Sequence, residues 1–311
     1  MSSSTSEPVT NVAVIIRSVG ERTEALCTHL VKQQVPESHV VVIHERPFSQ
    51  AVRRSFEIGL DFGLDWTLCV DADLLVRDNA INRLVTSIEW NNESALGGNG
   101  CLIDKLMGYK RNAGPHLYRT FLLEEALNLI PSSEVTLRPE AYLHAVMAER
   151  RHPWIQIKDT LSLHAYEQYY RDIYRVMVVR TQKSKYRVVK LMRRAKDYSH
   201  IDKDFLVTLW GLRVGLVTSE SSIRLDAEQW KDDFNLLLTA NALDEKTALS
   251  PDHVPINPNR IVRNYERARY PWGKEIALMD RPLRPDTWVR ALLVYGVERL
   301  RNGLVAPAEA T

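Results

Sequence analysis

The sequence predicts an α/β protein, with a mostly parallel sheet flanked by helices and a mainly helical extension at the C-terminal end. Three observations carry this expectation. The runs NVAVII, HVVVI and WTLCV are short, β-branched or apolar, and nearly free of polar positions, as strands covered on both faces are. The segments between them have apolar residues at helical spacing. Beyond about residue 168 such runs stop.

Asn11 to Ile16 reads as the first strand, and RSVGERT follows as a loop with Gly20 at a permissive position. Glu21 to Gln34 carries Ala25, Leu26, Leu30 and Val31 on one helical face, and Pro36 closes it. His39 to Ile43 is the second strand, Ser49 to Phe62 the second helix, and Trp66 to Val70 the third strand. Strand, helix, strand, helix, strand implies parallel pairing under helices. Asn79 to Trp90 is helical, NNESALGGNG is a glycine-marked loop, and Cys101 to Tyr118 is mixed. GPHLYR, Gly114 to Arg119, leads into a helix through Leu129; Glu140 to Glu149 is helical and Trp154 to Ile157 a short strand. From Tyr166 the chain is helix-like and basic, and Pro251, Pro255, Pro258, Pro271, Pro282 and Pro285 cut its later part into short helices and loops. The boundaries drawn are a disordered leader over 1–10, an α/β domain over 11–168 with halves 11–75 and 76–168, and a helical region over 169–311.

The 311 residues suffice for one large domain or two ordinary ones. A net charge of +2 points to neither a nucleic-acid nor an acidic partner, and no nucleic-acid recognition motif is present. Cys27, Cys69 and Cys101 form no disulfide framework, which favours a reducing cytoplasm. MSSSTSEPVT lacks an apolar core and is no signal peptide; no window reaches the roughly 18 apolar residues of a membrane span. The tail after Gly303 is expected to fray.

Ligands of open α/β sheets sit beyond the carboxyl ends of the strands. Here those ends are Arg17 and Ser18, His44 and Glu45, and Asp71 to Asp73, all polar or charged. The third is the most informative. An apolar strand runs straight into Asp71 and Asp73, whose like charges repel unless a positive group stands beside them.

NVAVIIRSVGERT, VVVIHERPF, AVRRSFEIGLDFGLDWTLCVDADLLVR and, more loosely, LRPEAYLH resemble the glycosyltransferase family 2 group over roughly residues 11 to 165. The resemblance implies a GT-A-type, Rossmann-like sheet and transfer of a sugar, with inversion, from a nucleotide diphosphate sugar to a hydroxyl acceptor. Such a reaction leaves a nucleoside diphosphate, whose charge Mn²⁺ or Mg²⁺ can neutralise through oxygen ligands. By resemblance Asp73 ligates the metal, and Asp71 faces the ribose or the metal's water. Glu45 stands where the family receives the base edge, with His44 in place of the usual Asp. Arg53 or Arg54 matches an arginine on the helix before Asp-x-Asp, Arg54 being preferred. The first loop departs from the family's proline-containing pattern and offers Arg17 and Arg22.

Glu140, after Pro139 at a helix start, fits the general base; a Glu there also complements the helix dipole. Asp104 and Glu134 are weaker candidates. His164 matches the histidine that closes many GT-A metal shells, although a structural role is equally open. Tyr109, His116, Tyr118 and Trp154 are offered as faces for an acceptor sugar.

The partners implied are a nucleotide-sugar donor and a glycan or lipid-linked acceptor, in polysaccharide or glycoconjugate synthesis. The basic stretch from Arg171 to Lys196 rests on anionic lipid or forms a solvated helical face. A nucleotidyltransferase would need a glycine-rich loop after the first strand, and RSVGERT has one glycine. A non-catalytic nucleotide-sugar-fold binding protein is the other alternative.

Overall fold

The computed structural model describes residues 7–91, 93–132, 135–136, 138–183, 185–218, 231–249 and 256–268, with Lys274, Ala277 and Leu278. Most of the expected leader, Glu134, the tail and all the late prolines except Pro258 lie outside the described residues.

β1 (Val12–Arg17), α1 (Glu24–Lys32), β2 (Val40–Ile43), α2 (Phe48–Phe62) and β3 (Trp66–Asp71) follow in the expected order. The short strand β4 (Leu74–Val76) and α3 (Ala80–Asn91) come next. After them stand β5 (Gly97–Asp104), β6 (Tyr109–Arg119), α4 (Leu123–Leu127), α5 (Pro139–Glu149) and β7 (Trp154–His164). Helices α6 (Tyr170–Lys183), α7 (Lys185–Tyr198), α8 (Lys203–Val217), α9 (Lys231–Ala240) and α10 (Pro258–Arg267) complete the described chain.

The seven strands form one sheet in the order β2-β1-β3-β6-β5-β7-β4. The sheet is mixed rather than mostly parallel. β1 pairs in parallel with β2 and β3, and β5 with β7, whereas β6 runs antiparallel to β3 and β5, and β4 antiparallel to β7. Only residues 105–108 join β5 to β6, far too few for a crossover, so this connection must be a hairpin.

The largest departure from the sequence reading lies in GGNGCLID. Its glycines mark a wholly buried strand rather than a loop, because neighbouring backbones approach closely. A Cβ at Gly98 would sit 2.5 Å from the Ile155 carbonyl oxygen, and one at Gly97 would strike the Leu117 carbonyl. GPHLYR likewise belongs to β6, and β7 extends seven residues beyond Ile157 to His164.

Both faces of the sheet are covered. Val12, Val14 and Ile16 of β1 pack with Leu68 of β3 against Val31 of α1 and Leu84 and Ile88 of α3. On the other face Ala13 and Ile15 meet Ala51 and Ile58 of α2, while Phe56 of α2 meets Leu143 and Met147 of α5. The alternation explains why β1 reads as apolar throughout: each face has its own helices.

The helical region is built onto the sheet. Leu106 and Met107, from the β5–β6 turn, share a core with Tyr174, Val178, Phe205 and Leu212 of α6 and α8. Ile261, Val262 and Tyr265 of α10 share another with Leu75, Ile103 and Leu163. Lys105 Nζ lies 2.7 Å from Asp202 and 2.6 Å from Asp204, which ties that turn to the start of α8. Arg22 donates to Thr247 O (2.6 Å) and Glu167 (2.7 Å), so it braces the extension and leaves the strand end to Arg17.

Several basic residues between 171 and 196 lie against aromatic rings of the same chain. Arg194 is buried over the rings of Tyr198 and Phe205, Lys190 lies over Tyr109, and Arg171 over Tyr169. Arg193 and Lys196 are exposed. Among the described residues no helix is long and apolar enough to cross a membrane.

Candidate active site

The positive group that the Asp71–Asp73 pair requires is Arg17. The β1–β3 register sets Arg17 directly beside Asp71, each the last residue of its strand. Arg17 Nε donates to Asp71 Oδ1 at 2.8 Å and Nη1 to Glu140 Oε1 at 2.8 Å. Its guanidinium also lies 4.9 Å from the centre of the Phe48 ring. Burial would lower the Arg17 value, but the two carboxylates outweigh it and hold the guanidinium firmly charged. The Asp71 carboxyl sits above its usual value through partial desolvation at the cavity wall; Arg17 opposes this, and Asp73 and Glu140 add to it.

A second cluster stands behind Asp73. β7 pairs with both β4 and β5, and that register aligns His164 with Leu74 on one side and Asp104 on the other. His164 Nε2 lies 3.2 Å from Asp73 Oδ2, and Nδ1 lies 3.1 Å from Asp104 Oδ2. Arg111 Nε donates to the same Asp104 oxygen at 3.0 Å. Burial would depress the imidazole, yet the flanking carboxylates raise it to about 9. Burial would raise both acids as well; His164 outweighs it at Asp73, and His164 with Arg111 does so more strongly at Asp104. Asp104 therefore orients His164, and a carboxyl so deeply ionised is a poor base. Among the described residues no group of three or more His, Cys, Asp or Glu side chains is arranged to hold a metal ion.

Glu140 is buried at the start of α5. Its Oε1 receives Arg17, accepts from Tyr118 Oη at 3.0 Å, and lies 3.0 Å from His116 Nδ1. Burial alone would raise this carboxyl; Arg17 and then His116 hold it well below the usual carboxylate range. Tyr118 is fully enclosed, edge-on to Phe56, so it offers no face to a sugar. Trp154 is half-buried, stacked on His144 with ring centres 3.7 Å apart, and its indole N–H donates to Asn99 Oδ1 at 2.7 Å.

The carboxyl ends of β1, β2 and β3 open onto a cavity of about 220 Å³, lined by Arg17, Glu45, Phe48, Asp71, Asp73 and Arg175 among others. That is below the roughly 300–1,000 Å³ of pockets that bury whole drug-sized ligands, so it would enclose only part of a ligand of that size. Of the residues singled out in the sequence, Arg17, Glu45, Asp71 and Asp73 meet on this wall. Glu140 stands one contact behind Arg17, and His164 one contact behind Asp73. Arg54 does not join them: it is exposed on α2 and donates to Glu57 at 3.3 Å. His44 pairs with Glu24 at 3.0 Å, on the outside.

Sequence reasoning missed Phe48 and Arg175 on the wall and the orienting role of Asp104. The only local signal for Asp104 was a strand ending in a carboxylate, the pattern that drew notice to Asp71, and the glycines before it hid that strand.

No protein-family model matches the chain, and no curated protein matches it. Among solved structures, a glycosyltransferase involved in the glycosylation of the major capsid of PBCV-1 is similar at 17% identity, over 50% of this chain and 94% of that one, with a TM-score of 0.35. A cytidylyltransferase from Leptospira borgpetersenii serovar Hardjo-bovis (strain JB197) is similar at 11% identity, over 49% of this chain and 77% of that one, with a TM-score of 0.34. At these values neither likeness bears on function.

Proposed function

We propose that the chain is a GT-A-type glycosyltransferase that moves a sugar from a nucleotide diphosphate donor to a hydroxyl of a glycan or lipid-linked acceptor. The observation that carries this reading is the convergence of Arg17, Glu45, Asp71 and Asp73 on one cavity at the carboxyl ends of the parallel strands. Glu45 receives the base edge, Asp71 the ribose, and Arg175 adds positive charge for the phosphates. Arg17 keeps Asp71 ionised and oriented.

A divalent cation, Mn²⁺ or Mg²⁺, fits beside Asp73. When bound it would offset charge on the departing diphosphate. Asp73 and His164, whose Oδ2 and Nε2 are 3.2 Å apart, are the residues that would hold it. Asp104 on the far nitrogen supplies the carboxylate–histidine arrangement that orients ligating imidazoles. His164 must first lose the proton it shares with Asp73.

In the inverting step the acceptor oxygen bonds to the anomeric carbon as the bond from that carbon to the phosphate oxygen breaks. Glu140 by itself is a weak base, its charge being held by Arg17 and then His116. We assign the acceptor proton to His116, with Glu140, 3.0 Å from its Nδ1, favouring the tautomer whose Nε2 accepts. His116→Asn and Glu140→Gln are each expected to lower kcat about 100-fold, and the double variant no further, because the pair acts as a unit. Losses that multiply in the double variant would sink this assignment.

The test of the whole reading is a thermal-shift screen of nucleoside diphosphates, their sugars and nucleoside triphosphates, with and without Mn²⁺. A diphosphate or its sugar at 100 times its Kd should stabilise by about 2.7 kcal/mol, seen as several degrees, and only with the metal present. A preference for triphosphates, or no nucleotide response at all, would overturn it.

A further inference from the structure

Thr23 stands at the N-terminal boundary of α1, where a threonine oxygen ordinarily accepts a backbone N–H of the first turn. It makes no such cap. The side chain is wholly buried, and its hydroxyl donates instead to Ala72 O at 2.7 Å. Gln168, also buried, donates from Nε2 to the same hydroxyl oxygen at 2.7 Å and to Tyr166 O at 3.0 Å. Chemistry fixes these directions. A carbonyl oxygen can only accept, so the one hydroxyl proton goes to Ala72 and the Gln168 NH₂ group must face Thr23 and Tyr166.

Both ends of this chain of bonds lie beside the Asp73–His164 edge. Ala72 separates Asp71 from Asp73, and its N–H is held by Arg17 O at 2.9 Å. With Thr23 on its carbonyl, Ala72 is pinned through both backbone polar groups. Gln168 lies four residues beyond His164, the last residue of β7. Between them Ala165 and Glu167 have φ values of 62° and 52°, which residues other than glycine seldom adopt unless their surroundings impose it. Arg22, the neighbour of Thr23, grips Glu167 at Oε2 (2.7 Å) and at its carbonyl oxygen (3.1 Å). The entry to α1 thereby fastens the end of β7 to the turn that carries Asp73.

We propose that Thr23 and Gln168 are positioning residues whose hydroxyl–amide clasp sets the spacing of Asp73 and His164, and with it the affinity of that edge for a divalent cation. The clasp stands on the bonds just given; its consequence rests on the metal reading above. Asp73 needs such a hold because the strand it leads into is weakly anchored. β4 has three residues and, among the described strands, pairs with β7 alone. Thr23 fixes the residue before Asp73, and Gln168 carries the same bond to the chain that follows His164.

The test is calorimetric titration of the full chain with Mn²⁺, alone and together with inorganic pyrophosphate. Thr23→Val keeps the shape of the side chain and removes the hydroxyl, whereas Thr23→Ser keeps the hydroxyl. Thr181→Val is the control for stability, since it removes a buried hydroxyl bonded to Val178 O at 2.8 Å and Gly215 O at 3.1 Å in the helical region. Mn²⁺ affinity should fall about 10-fold in Thr23→Val, the low end for a residue that orients metal ligands from outside. It should stay within about twofold of native in Thr23→Ser and in Thr181→Val, although both Val variants melt below the native chain.

Native Mn²⁺ affinity in Thr23→Val, or an equal loss in Thr181→Val, would overturn the clasp and leave the metal reading in place. A native chain that takes up Mn²⁺ in neither titration would remove the metal reading, and the clasp's role with it. Should Thr23→Val fail to fold, Gln168→Met replaces it, because the Thr23 hydroxyl can then still reach Ala72. Unchanged Mn²⁺ affinity in that variant would overturn the part given to Gln168 and the link to the end of β7.

Discussion

Asp73→Asn should lower kcat/KM about 1,000-fold or more and remove the Mn²⁺ requirement of nucleoside diphosphate binding. A metal at a leaving phosphate contributes several kcal/mol to the transition state, and each 1.36 kcal/mol is tenfold in rate. Asn keeps the shape of the side chain while removing the charge and one strong oxygen ligand. His164 would remain paired with Asp104, and Asp73 is 27% exposed, so stability should change by only about 1 kcal/mol. Asp104→Asn makes the instructive contrast. That side chain is 2% exposed and balances both His164 and Arg111. Its loss should cost about 3–5 kcal/mol of stability by leaving buried cations unpaired. The same change should weaken metal binding by the roughly 10- to 100-fold typical of an outer-shell partner. Calorimetry with and without Mn²⁺, together with thermal melts, separates the two variants. Native-like metal-dependent binding by Asp73→Asn would end the view of this edge as a diphosphate site.

The parallel half of the molecule was legible in the sequence because its signals are local. NVAVII and WTLCV each have helices on both faces, so they carry no polar alternation, and the break at Asp71 is abrupt. The antiparallel half depends on contacts distant in sequence. Gly97 and Gly98 look like turn residues until Leu117 and Ile155 are known to lie against them. A strand specified by close backbone approach carries little propensity of its own. With β5 unread, Asp104 stood only as a weaker candidate base, and its contact with His164 had no sequence signal. Glu140 was visible as a residue after Pro139 at a helix start, but its partners come from β1 and β6, 123 and 22 residues away. The basic stretch read as a surface, whereas the fold turns Arg175 onto the cavity wall and buries Arg194. Charge pattern along one helix does not reveal which cations a sheet will enclose.

Arg17→Met should be strongly destabilising, and its effect should depend on pH. Arg17 is 5% exposed and bridges two carboxylates with 2.8 Å contacts. Asp71 is 44% exposed toward the cavity, where water screens its loss, so most of the cost falls on the pair with Glu140, which is 10% exposed. Breaking a buried pair from one side costs about 3–5 kcal/mol, because the remaining charge is stranded. The sign with pH follows from the depressed Glu140 carboxyl. Its contribution to native stability is present above the unfolded value of about 4.3 and is lost as pH falls through the folded one. Without Arg17, Glu140 can be neutralised by protonation at a higher pH than in the native chain. The gap in melting temperature between Arg17→Met and the native protein should therefore be widest near pH 7 and narrow toward pH 4. Glu140→Gln placed on the Arg17→Met background should recover much of the lost stability, giving a coupling energy within the 0.5–3 kcal/mol span of interacting neighbours, near its upper end. Simple additivity of the two changes, or a gap independent of pH, would mean that Arg17 holds its place by packing on Phe48 and not by joining the β1 and β3 ends to α5.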